Sequence, residues 1–273
     1  MLVTDMHVHS HFSSDSSEQP EAIIQTAISK GYSYVYFTDH HDMDFPVHPA
    51  APLMDFQLDF DRYCRTLLDL REQYRSQIEV RLGVEQGICP ETAAGLKALN
   101  DSYPFDFVIA SSHLTSLEQG DPYYPEYYEG KSYVDAYREY FASEIENVRL
   151  TDSFDIYGHL DYAIRYCPDQ SFVYRFEDYR DLLEVLLKLL VEKGKGIEIN
   201  TSGINKIGFP HPHIETLKLY RQLGGEIITV GSDAHQKENI GSHFDKAEEQ
   251  LRQIGFSYYT VFKERKPEFI RLS

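Results

Sequence analysis

Short apolar segments alternate with longer helical patterns along this chain, and that alternation constrains its fold more than any other feature. Seven segments rich in β-branched or aromatic residues have the length of buried strands, and each is followed by residues with the apolar spacing of a helix. Strand–helix units in series favour a parallel sheet, and closing such a sheet into a barrel covers both of its edges. The expected strands cover residues 2–6, 34–38, 79–84, 107–111, 155–157, 196–200 and 226–230.

The helical patterns lie between these segments, and the pattern changes near the C-terminus. After the last helix, two short strands at 257–263 and 268–272 surround Lys266 and Pro267 instead of forming an eighth unit. A length of 273 residues suits one α/β barrel, so we expect a single domain over 1–273 with a C-terminal β extension at about 256–273. The expected helices cover residues 20–30, 55–76, 91–100, 133–150, 176–193, 211–223 and 239–254.

Charge and composition exclude several classes of protein. The chain has 44 acidic and 26 basic residues, and its net charge of −18 repels a phosphate backbone, so nucleic acid is not an expected partner. The most apolar window, 182–191, contains Glu184 and Lys188, so no membrane span is expected, and no signal peptide is evident. Three cysteines without a C-x-x-C pair argue against disulfides and a Cys-based zinc site. We expect a cytoplasmic protein.

Histidine and carboxylate residues stand at the C-terminal end of nearly every expected strand. In parallel α/β barrels these ends meet at one face, where catalytic groups converge. Residues two apart on a strand point to the same side, so an H-x-H pair presents both imidazoles to one ligand. Imidazole nitrogen and carboxylate oxygen suit Zn²⁺, Mn²⁺ or Fe²⁺, which predicts a metal centre. The strand ends carry His7, His9 and Asp15, then Asp39, His40 and His41, then Glu85, His113, His159, Glu198 and Asn200, and finally Asp233 and His235.

Other features have simpler interpretations. The polar, tyrosine-rich stretch 116–133 is either a lid over a ligand or a packed surface loop. Asp42 and Asp44 form a D-x-D pair, but the following Phe45-Pro46 departs from the aspartyl-phosphate motif, and nucleotide-binding glycine motifs are missing from the sequence. A lone histidine is more often structural than a ligand, and on that ground we assign four of them to the surface, caps or loops: His48, His211, His213 and His243.

Six short motifs in a fixed order carry a family resemblance. HVHS, TDHH, GVE, SSH, GHLD and GSDAH, spread over residues 1 to about 240, resemble the polymerase-and-histidinol-phosphatase (PHP) superfamily, and within it the monofunctional histidinol-phosphatase branch. The resemblance implies a distorted (β/α)7 barrel of the TIM-like PHP fold. It also implies two to three divalent metal ions (Zn, Mn or Fe) and the hydrolysis of a small phosphate monoester.

The resemblance also implies which residues hold the metals and the substrate. Glu85 would bridge two metals, and Asp15 stands where some family members have histidine. Arg165, after GHLD, would face the phosphate, and Asn200, within EINTSG, would line the pocket; the alternatives are a surface ion pair and a cap at the barrel rim. The implied ligands are His7, His9, Glu85 and Asp233 for the first metal, Glu85, His113 and His159 for the second, and Asp15, His40 and His235 for the third.

The reaction that the resemblance implies is the hydrolysis of L-histidinol phosphate to L-histidinol and phosphate, a step of histidine biosynthesis. Metals about 3.5–4 Å apart lower the pKa of a shared water and clamp the oxygens of an in-line displacement at phosphorus. The leaving alkoxide needs a proton, for which His41 and Asp161 are candidate donors. The alternatives are another small phosphate ester, such as a nucleotide or sugar phosphate, and a non-catalytic PHP module. The oligomeric state is left open.

Overall fold

A curved parallel sheet forms the centre of the molecule. The structure is a computed structural model, and it describes residues 2–118 and 120–272. The sheet strands are β1 (Tyr34–Phe37), β2 (His40–Asp42), β3 (Glu79–Gly87), β4 (Phe107–Ser111), β5 (Ile156–Tyr157), β6 (Gly196–Asn200) and β7 (Ile228–Gly231). They pair in the order β1-β3-β4-β5-β6-β7, and β2 lies beside the second half of β3. The helices are α1 (Pro20–Ser29), α2 (Phe60–Tyr74), α3 (Leu96–Ser102), α4 (Tyr133–Leu150), α5 (Arg180–Glu192), α6 (Gly203–Ile207), α7 (Ile214–Gln222) and α8 (Phe244–Ile254).

The N-terminal segment, residues 2–9, fills the gap between the outer strands β1 and β7. The N–H of Ser33 donates to the carbonyl of Val3 (2.8 Å) on one side, and the N–H of Met6 donates to the carbonyl of Val230 (3.2 Å) on the other. The expected first strand therefore lies in its expected place, although it forms isolated contacts and no regular ladder. The sheet curls into a distorted α/β barrel, as the sequence predicted.

Several element boundaries differ from the expected ones for local reasons. Helix α2 begins at Phe60 and not at residue 55, because the Asp59 side chain accepts a hydrogen bond from the N–H of Arg62 (3.1 Å) and caps the helix there. Helix α3 begins at Leu96, since residues 91–95 form turns. Strand β2 was not expected; it forms because the chain after β1 continues to pair with β3.

The outer helices bury one face each against the sheet or against a neighbouring helix. Helix α5 shows this clearly, since its fully buried side chains recur at helical spacing while Val185 is 40% exposed. Within residues 2–118 and 120–272, no helix combines the length and the apolar character that a membrane crossing needs. The buried residues of α5 are Leu183, Leu186, Leu187 and Leu190.

The C-terminal extension is an antiparallel hairpin of β8 (Tyr258–Lys263) and β9 (Lys266–Arg271), close to the expected strands. It covers the N-terminal end of the sheet, because the ring of Phe262 stacks on Phe107 of β4 with a centroid distance of 5.1 Å. This packing supports one domain for barrel and hairpin, which stays a prediction.

Arg81 joins the sheet to this hairpin and is 2% exposed. Its Nη1 donates to the hydroxyl of Tyr36 (2.8 Å) and to the carbonyl of Phe262 (2.7 Å). We expect Arg81→Ala to lower the free energy of unfolding by about 2–4 kcal/mol, because it removes buried charge-assisted hydrogen bonds and the packing of a long side chain. Urea unfolding followed by circular dichroism measures the change.

The matched control is Arg75→Ala, an arginine whose side chain is 72% exposed at the end of α2. It should change the free energy of unfolding by about 0.5 kcal/mol or less. Equal effects of the two substitutions would contradict the role given to Arg81.

Candidate metal and substrate site

Glu85 is the buried centre of the predicted ligand set. Its Oε2 lies 3.0 Å from His7 Nε2 and 3.0 Å from His40 Nδ1, and its Oε1 lies 2.9 Å from His159 Nε2. The parallel ladder pairs His40 with Glu85 directly, so neighbouring strands bring these side chains together. Because its two oxygens face different imidazoles, this carboxylate has the position of a bridging ligand.

Asp233 approaches the same centre from the end of β7. Its backbone has a φ of 55°, a left-handed conformation that few residues other than glycine adopt and that is often found at functional sites. This turn places Oδ1 at 3.3 Å from His9 Nε2 and 3.7 Å from His7 Nε2. Asp233 therefore lies beside the His7–His9 pair, in the place that the family resemblance implies.

A third set of side chains lies next to His9. Asp15 Oδ2 is 3.0 Å from His235 Nε2 and 3.5 Å from His40 Nε2. The ring of His9 stacks on those of His235 and His40, with centroid distances of 4.1 and 4.2 Å. The predicted residues Asp15, His40 and His235 are thus brought together at one edge of the cluster.

Four overlapping groups of three side chains have possible ligand atoms within 4.8 Å of one another. Three of the groups consist of predicted ligands only. The fourth includes Asp42, which the sequence analysis considered only as part of an unrelated motif. The groups are His7, His9 and Glu85; Glu85, His113 and His159; His9, His40 and His235; and His40, Asp42 and His113.

Several buried atoms of this cluster have no hydrogen-bond partner within the described part of the chain. An unpaired buried polar atom costs about 1–3 kcal/mol, so their convergence calls for a further group between them. Nitrogen and oxygen lone pairs in this arrangement suit a borderline divalent cation, so the residues present fit bound metals. The unpaired atoms include His7 Nε2, His9 Nε2, His40 Nδ1 and Glu85 Oε2.

Two carboxylates orient imidazoles of the cluster from behind. Glu198 Oε1 lies 2.7 Å from His7 Nδ1, and Asp42 Oδ2 lies 2.6 Å from His113 Nδ1. A carboxylate accepts, so each imidazole donates from Nδ1 and directs its Nε2 toward the cluster. The close approach of Glu198 needs Gly231, where an added Cβ would lie 2.7 Å from Oε1 of Glu198.

Two further imidazoles are oriented by neutral acceptors. His9 Nδ1 lies 3.1 Å from the hydroxyl of Ser13, which donates its own proton to Asp39 (2.9 Å), so His9 is the donor of the pair. His235 Nδ1 lies 3.0 Å from the carbonyl of Asp233. These orienting roles were not predicted from the sequence.

The charges of the cluster shift the ionisation of its members. Burial opposes charge on Glu85, but the imidazoles around it, with His7 first, hold the pKa of its carboxyl well below the usual value. Burial also opposes charge on His113, yet neighbouring carboxylates, with Asp42 first, raise its pKa to about 10. For His9, burial and two adjacent imidazoles lower the pKa to about 3. The carboxyl of Glu85 is therefore ionised at neutral pH.

A cavity of about 560 Å³ opens over the cluster, a volume that suits a small molecule. Arg165 lies in its wall with a side chain only 4% exposed, and its Nη1 is 3.7 Å from Asp233 Oδ2. Its guanidinium lies 5.3 Å from the ring centre of Tyr162. The cavity thus brings predicted metal ligands and the buried guanidinium of Arg165 together. Aromatic side chains form much of the remaining wall: Phe45, Phe56, Tyr123, Tyr124, Tyr162 and Tyr166.

Both candidate proton donors lie outside this cavity. His41 Nδ1 accepts a hydrogen bond from the N–H of Leu58 (3.2 Å), and burial lowers its pKa. Asp161 is 1% exposed, and its carboxylate bonds to the imidazole of His211 and to the N–H of His213. Neither side chain is thereby placed to reach a leaving group.

Two other residues of the site differ from expectation in their position. Asn200 is fully buried behind the cavity wall, where its Oδ1 accepts hydrogen bonds from the N–H (3.0 Å) and the hydroxyl (2.6 Å) of Ser202, and it is Ser202 that reaches the cavity. Asp121, which the sequence analysis did not single out, lies in the wall, and burial raises its pKa to about 6. Its place in the tyrosine-rich stretch 116–133 offered no motif that could have identified it.

The assignment of His211 to the surface, caps or loops is correct only for its place in a loop, because this residue is fully buried beside Arg165. The other three histidines agree with it: His213 and His243 precede helices α7 and α8, and His48 lies on a loop. The ring of His48 stacks on Tyr124 with a centroid distance of 3.4 Å.

The tyrosine-rich stretch 116–133 combines both of the roles considered for it. Tyr127 and Tyr128 are buried against the α4 region, whereas Tyr123 and Tyr124 line the cavity. The part of this stretch that the structure describes is therefore a packed loop with one face toward the cavity.

Comparison with known proteins places this site in a family context. The PHP domain model matches residues 5–202. A histidinol-phosphatase from Lactococcus lactis is 33% identical over 267 residues, covering 97% of this chain and 96% of that protein. A relative from Clostridium acetobutylicum is 32% identical over 246 residues, covering 90% of this chain and 91% of its own. The crystal structure of a Lactococcus lactis histidinol phosphate phosphatase with zinc, L-histidinol and phosphate matches with a TM-score of 0.88 at 32% identity, over 98% of this chain and 100% of that one.

We expect metal binding at pH 7 to release protons from the metal-free protein. Burial opposes charge on His7, His40 and His113, but the surrounding carboxylates raise the pKa of all three, so they are protonated at neutral pH and must lose a proton to bind a cation. About two to three protons per chain should be released on full loading, and metal affinity should fall as the pH is lowered.

Calorimetric titration of the metal-free protein with Zn²⁺ or Mn²⁺, in buffers of different ionisation enthalpy, measures the number of protons. A binding enthalpy that does not depend on the buffer would contradict the protonated state of these imidazoles.

Proposed function

The chain belongs to the PHP domain family, and from this premise we propose that it is a metal-dependent phosphatase that hydrolyses L-histidinol phosphate to L-histidinol and phosphate. The observation that carries the proposal is the full-length match to the Lactococcus lactis enzyme that binds zinc, L-histidinol and phosphate, together with a cavity here that joins a ligand cluster to a buried arginine. By its product the reaction belongs to histidine biosynthesis.

We assign two to three divalent metals (Zn, Mn or Fe) to the cluster. The carboxylate of Glu85 supports a bridge, because its two oxygens face different imidazoles at 2.9–3.0 Å. The proximity of Asp15 to His235 and His40 supports a third position. The proposed ligands are His7, His9, Glu85 and Asp233 for the first metal, Glu85, His113 and His159 for the second, and Asp15, His40 and His235 for the third.

The bound cations would neutralise phosphate oxygens and lower the pKa of the water that attacks phosphorus. The chain's own residues provide the remaining functions. Arg165 offers donors to the non-bridging oxygens of the phosphate, in a wall that excludes bulk water. Glu198 and Asp42 keep His7 and His113 in one tautomer, so the ligand geometry exists before the substrate arrives.

The leaving oxygen needs a proton from a side chain in the cavity wall. His41 and Asp161 lie outside it, whereas Asp121 lies in the wall and has a pKa of about 6, close to the range that general acid catalysis requires. We therefore consider Asp121 better placed than either predicted donor.

We further propose a small phosphate monoester as the sole class of substrate and the cytoplasm as the location. The cavity volume of about 560 Å³ and the net charge of −18 support a small molecule over nucleic acid. The three cysteines, Cys64, Cys89 and Cys167, are free, which fits a reducing compartment.

Phosphate release from L-histidinol phosphate, measured with malachite green on the metal-loaded enzyme, tests the function. We expect kcat/KM on L-histidinol phosphate to exceed that on nucleoside monophosphates and sugar phosphates by at least about 100-fold, since a site with specific polar contacts discriminates in this range. A preference for a nucleotide or a sugar phosphate would show that L-histidinol phosphate is not the substrate. Failure to hydrolyse any phosphate ester, with metals confirmed by elemental analysis, would indicate a non-catalytic module.

Arg165→Ala should lower kcat/KM by an amount equivalent to about 2–4 kcal/mol, the range found for lost oxyanion contacts. Arg165→Lys should also lose activity, because an ammonium group does not reproduce a planar bidentate donor. Metal content and Tm should stay close to those of the wild type. The control is Arg175→Ala, an arginine whose side chain is 70% exposed; unchanged kinetics in Arg165→Ala would remove this residue from the site.

A further inference from the structure

Arg165 is held at two points on one edge of its guanidinium. Its Nε donates to His211 Nε2 (3.2 Å), and its Nη2 donates to the hydroxyl of Ser202 (2.7 Å). These bonds use the N–H groups on one side, while Nη1 lies on the cavity side near Asp233. The Nη1 end of the guanidinium therefore lies beside Asp233, in the wall of the cavity proposed for the phosphate.

The direction of the bond to His211 follows from the chemistry of arginine. A guanidinium has five donors and no acceptor, so His211 Nε2 has to be the acceptor and the imidazole proton has to be on Nδ1. That Nδ1 donates to Asp161 Oδ1, and the other oxygen of Asp161 accepts the N–H of His213 (2.7 Å). The three side chains form a chain of hydrogen bonds with one fixed direction, Arg165 to His211 to Asp161.

The backbone around His211 also fixes its ring. His211 exchanges two backbone hydrogen bonds with Asn200 at the end of β6, with distances of 2.7 and 2.9 Å. The ring packs on Gly203, where an added Cβ would lie 2.8 Å from His211 Cδ2 and 3.0 Å from its Nε2. His211 is fully buried and so has little freedom to leave Arg165.

We propose that His211 and Asp161 are positioning residues that orient the Arg165 guanidinium toward the substrate phosphate, an inference that rests on the proposed function. A free arginine side chain loses considerable rotamer freedom when it binds a ligand. His211 removes that freedom in advance, and Asp161 keeps His211 in the tautomer that accepts from Arg165. Asp161 thus belongs to the site through another residue, and not as the proton donor that the sequence suggested.

The test removes the acceptor at position 211 while keeping the shape of the side chain. His211→Phe should lower kcat/KM by about 10–100-fold on L-histidinol phosphate and on p-nitrophenyl phosphate, the range expected when a catalytic group is misplaced by about 1 Å. His211→Gln keeps an oxygen acceptor, so its kcat/KM should lie closer to that of the wild type. The matched control is His213→Asn. His213 lies in the same loop, and within the described residues its side chain has no contact with Arg165. The kcat/KM of this variant should be unchanged.

Asp161→Asn tests the tautomer separately. Both oxygens of Asp161 accept, one from His211 and one from His213, and an amide replaces one acceptor with a donor. If the amide donates to Nδ1, the imidazole proton moves to Nε2 and faces the donor of Arg165. We expect a loss of kcat/KM similar to that of His211→Phe, as wrong tautomers produce in other His–Asp pairs.

A double-mutant cycle separates positioning from a general structural role. In the Arg165→Ala background, His211→Phe should change kcat/KM by less than about twofold, since its effect passes through the missing guanidinium. Inorganic phosphate should raise the Tm of the metal-loaded wild type, and this rise should shrink in His211→Phe as it does in Arg165→Ala.

Additive losses in the double variant, or a phosphate-dependent Tm rise equal to that of the wild type, would overturn the inference. If His211→Phe does not fold, His211→Gln and Asp161→Asn in the same cycle give the answer. If the wild type hydrolyses p-nitrophenyl phosphate but not L-histidinol phosphate, the proposed substrate fails, and the positioning of Arg165 is still decided on p-nitrophenyl phosphate.

Discussion

The burial of Glu85 among imidazoles is the constraint on which the rest of the structure depends. A buried carboxylate is stable only when positive charge or hydrogen-bond donors surround it, and here the donors come from several different strands. Each of those strands must end at the same level for the imidazoles to meet. The parallel ladder, the N-terminal segment between β1 and β7, and the turn at Asp233 all satisfy that one geometric requirement.

The sequence was sufficient for the parts of the molecule that follow local periodicity. Alternation of strands and helices predicted the α/β barrel, and residues two apart on a strand, such as His7 and His9, were correctly expected to face one point. The order of the six short motifs indicated the family. Helix α4 was predicted with its observed limits, whereas α2 was extended by about one turn because the cap at Asp59 was not recognised.

What the sequence did not predict depends on contacts between residues far apart in the chain. Glu198 and His7 are 191 residues apart, and Arg165 and His211 are 46 residues apart, so no local sequence pattern predicts either hydrogen bond. The sequence also did not show which of the polar side chains are buried. Asp161 and His211 have the chemistry of catalytic groups, but only the packing around them shows that they lie behind the cavity wall.

The N-terminal segment that completes the barrel has a consequence for how the chain is made. Residues 2–9 are synthesised well before β7, yet the two segments contact each other. Until β7 and Asp233 emerge, the barrel lacks one wall and the pair His7–His9 lacks the carboxylate of Asp233. Contacts between such distant parts of a chain form late and slow the folding reaction. The cluster is therefore a feature of the finished chain, and a nascent chain that ends before β7 presents only part of the ligand set to the metals of the cell.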